Sequence, residues 1–191
     1  MKLKIVHKSY SCAPKSKEEL KDILKERLSD DPNADLNDIN VSNITNMSEL
    51  FDDLDPHNID VSKWDVSNVE DMNCIFWGCD NFSADLSMWD VSNVEDMYRA
   101  FTFCANFNSD LSKWNVSKVE DMNCMLWGCK KFESDLSRWD VYNVKDMRGM
   151  FYDCTQFNSD LNKWNVSNVK DMNKMFVGCV SMKKQPKWYK I

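Results

Sequence analysis

Along residues 85–107 the apolar positions recur at a spacing that changes partway. Leu86, Trp89 and Val91 follow an L-x-x-L-x-L pattern, and from Val94 the steps become three or four, through Met97, Phe101 and Cys104. The first spacing predicts a short strand with Trp89 and Val91 inward and Met88, Asp90 and Ser92 on the opposite, concave face. The second is one face of a short helix. Ser67-Asn-Val-Glu70 and Ser92-Asn-Val-Glu95 have capping-box spacing, with Asn93 to Asp96 offering a competing start one residue later. Gly78, Gly128 and Gly178 fall where such a helix would end. Each unit therefore reads as a strand, a tight turn, a short helix and a return loop anchored by Phe82, Phe107, Phe132 or Phe157.

The pattern repeats every 25 residues without insertion or deletion. Trp64, Trp89, Trp114, Trp139 and Trp164 keep step, as do Asp35 to Asp160, Met47 to Met172, and the cysteines Cys79, Cys104, Cys129, Cys154 and Cys179. A fixed period of this length is the signature of a solenoid, in which stacked units bury an apolar face that no unit can bury alone. The expected fold is an α/β repeat solenoid, leucine-rich-repeat-like, with six strand-helix coils over residues 35–184 and a parallel sheet on the concave side. Residues 1–34 form a leader and capping helix, and 185–191 a C-terminal cap segment, in one structural domain overall. The helix is read from the box Ser16-Lys-Glu-Glu19 and the stripe Leu20, Ile23, Leu24 and Leu28, ending near Ser29. The first coil is atypical, with Ile39, Leu54 and His57 in the Trp, Cys and Phe places, as terminal repeats often are. Lys183, Lys184, Pro186, Lys187, Trp188 and Tyr189 are expected to cover and charge the other edge.

The unit Phe-Asn-x-Asp-Leu-Ser-x-Trp-Asp-Val-Ser-Asn-Val-x-Asp-Met-x-x-Met-Phe-x-x-Cys resembles the 25-residue repeats of the BspA-like leucine-rich repeat surface proteins of bacteria. Five close copies and one degenerate copy carry the likeness, and Pro14-Lys-Ser-Lys-Glu-Glu-Leu20 resembles the segment that precedes such repeats. The resemblance implies a leucine-rich-repeat-like solenoid and an adhesive or protein-binding role at a cell surface. It supplies no catalytic residues.

Composition narrows the function further. A net charge of −7 and a pI near 4.9 oppose binding to a phosphate backbone, so no nucleic-acid partner is expected. The start, Met1-Lys-Leu-Lys-Ile-Val-His-Lys, lacks the apolar stretch of a signal peptide, and no segment reads as a membrane span. The chain as written is expected to be cytoplasmic, with the cell surface or secretion as the family-based alternative. Eight cysteines suggest disulfides, but five form one ladder, which is read as a column of reduced, buried thiols.

Three columns are assigned to the concave face: Lys63, Met88, Lys113, Arg138, Lys163; then Asp65, Asp90, Asn115, Asp140, Asn165; then Ser67, Ser92, Ser117, Tyr142, Ser167. The first two can neutralise each other as a lattice of ion pairs. Met88 and Tyr142 interrupt it with apolar area, and they are the first candidates for contacting a protein partner. A second candidate is a helix-side ridge of Trp77, Trp127 and Tyr152, with Tyr98 and Arg148 beside it; the alternative is that these rings pack between helices. The column from Asp35 to Asp160 either accepts backbone N–H groups within its own turns or binds cations. No catalytic constellation emerges. His7 near Cys12 is a weak nucleophile–base pair, and Cys74/Cys79 and Cys124/Cys129 are spaced poorly for zinc. The resulting reading is a non-enzymatic, cofactor-free and metal-free protein-recognition module, monomeric, with self-assembly as the rival.

Overall fold

The structure is a computed structural model and describes residues 10–190. Its helix, α1, spans Lys17–Asp30; Ser16 caps it by accepting from the Glu19 amide, and Leu20, Leu24 and Leu28 are its buried face. Beyond α1, the described residues contain no strand longer than an isolated bridge and no second helix. The strand-helix coils and the parallel sheet expected from the sequence are therefore not formed, and the fold is not an α/β leucine-rich-repeat solenoid. The horseshoe's concave strand face is absent with them.

What replaces them is a run of tight turns. In residues 85–109, backbone N–H groups of Trp89, Val94, Ala100, Thr102, Cys104 and Phe107 each bond the carbonyl three residues earlier, at 3.0–3.2 Å. The turns explain the misleading periodicity, because serial i to i+3 turns repeat their inward positions every three residues, close to a helical face. Leu86, Trp89, Val91, Val94, Met97, Ala100, Phe101, Cys104 and Phe107 all lie in the core. The predicted helix is excluded by Arg99 and Phe103, whose φ of 52° and 66° are left-handed, a region that no right-handed helix can contain. Gly78, Gly128, Gly149 and Gly178 occupy such left-handed sites; they belong to turns rather than to helix ends.

Alternating handedness turns every second peptide plane the same way. The N–H groups of Met97, Arg99, Phe101 and Phe103 point along the stack and bond Asp121, Asn123, Met125 and Trp127 carbonyls of the next coil at 2.7–3.0 Å. Hydrogen bonds that a helix would close within itself thus join neighbours 24 residues apart. Glu70 and Glu95, read as capping-box acids, instead donate backbone N–H groups to Thr45 and Glu70 of the preceding coil, both at 2.8 Å.

Side chains donate backward as well. The indole Nε1–H groups of Trp64, Trp89, Trp114, Trp139 and Trp164 bond the Leu36, Val61, Leu86, Leu111 and Leu136 carbonyls at 2.9–3.0 Å. The thiols of Cys104, Cys129, Cys154 and Cys179 donate to Phe76, Phe101, Leu126 and Phe151 carbonyls at 2.9–3.0 Å. These ladders account for the first coil: Ile39 and Leu54 stand where no preceding coil of this kind offers a carbonyl. All eight cysteines are free thiols.

Asp60, Asp85, Asp110, Asp135 and Asp160 each accept from the N–H two residues on, at 2.9–3.0 Å. Hydrogen bonding from these turns holds the carboxyl groups below the ordinary carboxylate range. Of the two readings of this column, the backbone-accepting one is the geometry seen. Among the described residues no group of three His, Cys, Asp or Glu is placed to hold a metal ion, and no helix is long and apolar enough to cross a membrane. His7 lies outside the described residues.

Candidate protein-binding surface

The ridge begins with the second left-handed turn of each coil. Trp77, Thr102, Trp127, Tyr152 and Val177 precede its left-handed residue, and in four of the five coils the side chain there reaches the surface. Thr102 is the exception, being buried with its hydroxyl donating to the Cys124 carbonyl at 2.6 Å. The gap is filled by Phe103, which takes the left-handed slot held by glycine in the neighbouring coils and is 51% exposed. The sequence analysis does not single out Phe103; its signal is a bulky residue where both adjacent coils have glycine, Gly78 and Gly128.

The rings lie against glycines of the following coil. A Cβ on Gly128 would stand 3.0 Å from Phe103 Cδ1, and one on Gly149 would stand 3.1 Å from Trp127 Cε3. Both glycines thus serve a left-handed turn and a ring seat at once. Trp127 stacks on Tyr152 with centroids 4.2 Å apart, and Phe103 meets Trp127 edge-on at 6.5 Å. Trp77, 42% exposed, borders with Phe103 and Trp127 a cleft of about 130 Å³ whose other walls are Arg99, Thr102 and Cys124. The guanidinium of Arg99 also lies 5.0 Å from the Tyr98 ring. Burial raises the Cys124 thiol and pushes Cys74 up to about 11, so neither is poised as a nucleophile. The cleft offers apolar area and one cation.

The other predicted surface lies on the first two turns of the coil. Met88 is 75% and Tyr142 49% exposed, on coils that are not adjacent. Lys63, Lys113, Arg138 and Lys163 are exposed, and among the described residues no ion pair joins Lys113, Arg138 or Lys163 to a carboxylate. Asp65, Asp90 and Asp140 instead accept the backbone N–H groups of Ser67, Ser92 and Tyr142 at 3.1–3.2 Å. In place of the expected ion-pair lattice, these carboxylates are held by the backbone of their own turns. Of the ridge's predicted neighbours, Tyr98 is half-buried and Arg148 exposed.

Residues 19–123 and 78–189 match the family model described as Mycoplasma protein of unknown function, DUF285. The chain belongs to the DUF285 family. Two overlapping matches over a chain of repeated units agree with a repeat-type family. No curated protein and no solved structure matches the chain.

Proposed function

We propose that this DUF285 protein is a non-enzymatic recognition module whose protein partner docks on the ridge of Trp77, Phe103, Trp127 and Tyr152. The observation that carries the reading is that Phe103 is exposed at a left-handed position where neighbouring coils hold glycine. A bulky residue there costs about 1–2 kcal/mol of backbone strain, and its ring meets water and a ridge neighbour rather than the core. Packing on Gly128 and Trp127 returns part of that strain, and the half of the ring left exposed points to a use at the surface. Aromatic rings with an arginine beside them are the favoured anchors of protein interfaces. The ring seats over Gly128 and Gly149 preorganise the ridge, which lowers the ordering cost of binding.

The likeness of the repeat to BspA-like units supports the same class of activity, and an adhesive role at a cell surface is one form it takes. Met88 and Tyr142 remain the competing surface. The partner is a protein rather than a nucleic acid or a membrane, and the module acts as a monomer. The test is capture of partners by the wild-type chain, by a Trp77→Ser, Phe103→Gly variant, and by a Met88→Glu, Tyr142→Glu variant, with matched melting confirmed. Loss of a partner by the first variant alone supports the ridge; loss by the second alone refutes it.

A further inference from the structure

The coil-to-coil hydrogen bonds have one direction, and the face of residues 160–190 carries its consequence. In the coil before it, the N–H groups of Met147, Gly149, Phe151 and Asp153 bond carbonyls of Asp171, Asn173, Met175 and Val177 at 2.7–3.1 Å. The corresponding donors in the last coil are Met172, Lys174, Phe176 and Gly178. The Tyr189 ring meets Phe176 edge-on, with centroids 4.9 Å apart. For Met172, Lys174 and Gly178 no described residue accepts. Trp188 continues the tryptophan column, its Nε1–H bonding the Leu161 carbonyl at 2.8 Å, so the closing segment covers one side of the coil only. Val166, Val169 and Met172 stay partly exposed, whereas their counterparts Val141, Val144 and Met147 are buried to 1% or less.

Positive charge concentrates in the same segment of the chain. Residues 160–190 hold seven Lys against two Asp, in a chain whose net charge is −7. The aligned peptide planes add their positive ends there. At the opposite end of the stack α1 brings cations to the first coil: Lys21 Nζ donates to the Glu49 carbonyl and Lys17 Nζ to the Ser48 hydroxyl, both at 3.0 Å. One end receives cations; the other presents donors and cations.

We infer that the open side of the last coil, around Val166, Met172, Lys174 and Gly178, is a docking site for an acidic peptide segment with apolar residues. Two copies of this face cannot serve each other, since donors would meet donors and lysines lysines. A peptide is the fitting acceptor because the inner coils pair these donors with the carbonyls of alternate residues, a spacing that a polypeptide backbone supplies. Acidic side chains would meet the lysines, and small apolar ones the exposed valines. This site is separate from the aromatic ridge and stands whether or not the ridge binds a partner.

The test is fluorescence anisotropy of the full chain with a labelled peptide repeating Glu-Gly-Glu-Val, alongside its Lys-Gly-Lys-Val counterpart, an oligothymidine strand and phosphatidylserine vesicles. Saturable binding is expected for the acidic peptide alone, weakened roughly tenfold by Lys170→Glu with Lys174→Glu. Amide exchange by NMR then reads the donors directly: the Lys174 and Gly178 amides are expected to become protected when the peptide binds. No binding of the acidic peptide, equal binding of the oligonucleotide or vesicles, or binding without protection of those amides would each overturn the proposal.

Discussion

Asp121 sits mid-column between Asp96 and Asp146, one coil away on either side, and replacing it with Asn is expected to stabilise the protein. Its Oδ1 accepts the Asn123 N–H at 2.8 Å, a bond that an Asn oxygen keeps. Burial raises the Asp121 carboxyl above its ordinary value, and the charges of Asp96 and Asp146 add to the rise. Asn46 shows that the amide fits this position, donating Nδ2–H to Asp71 Oδ2 at 2.8 Å. Removing two like-charge contacts of a few tenths of a kcal/mol each, and gaining one hydrogen bond to Asp146, gives about 1 kcal/mol for this half-exposed site. In a chain of this size that is a rise in Tm of roughly 2–4 °C.

The pH dependence carries the sign. A carboxyl with a raised folded pKa favours the folded state below its unfolded value, and loses that contribution as pH rises through the folded pKa. The advantage of Asp121→Asn should therefore be full at neutral pH and shrink on acidification as Asp121 takes up its proton. Thermal melts followed by circular dichroism at neutral pH and near the carboxylate range measure both. An unchanged or lower Tm at neutral pH, or an advantage that persists undiminished in acid, would refute the reasoning.

Three further outcomes follow from the same geometry. Trp114→Phe keeps an aromatic ring in the column but loses the bond to the Leu86 carbonyl and part of the ring volume, so denaturant titration should show a loss of about 2 kcal/mol. Gly178→Ala places a Cβ 2.1 Å from Asp153 Oδ1 and 3.0 Å from Asp153 Cα at φ +80°, and should cost at least about 1–2 kcal/mol, whereas Phe103→Gly relieves a left-handed residue and should melt no lower than wild type. Native-state alkylation followed by mass spectrometry should modify Cys12 and, more slowly, Cys74, leaving the buried ladder thiols intact until the chain unfolds.

The inward positions were legible in the sequence because burial depends on spacing, and turns share that spacing with a strand followed by a helix. The hydrogen-bond partners were not legible, since they depend on backbone handedness. Arg99, Cys74 and Lys174 do not announce a positive φ, and only Gly149 in the same column hints at it. Cysteine read as a small hydrophobe; its role as a donor emerges only when the coil behind it supplies a carbonyl. The aromatics Trp77, Trp127 and Tyr152 were found as departures within a repeated column, but Phe103 was missed because Thr102 held the expected place.

Site-specific photo-crosslinking locates the partner most directly. A benzoylphenylalanine at Phe103, at Met88 or at Tyr142 replaces an exposed side chain with a photoreactive aromatic of similar apolar character. The ridge account predicts that the captured partner crosslinks through position 103 and not through 88 or 142. Crosslinks through 88 or 142 with none through 103 would contradict it.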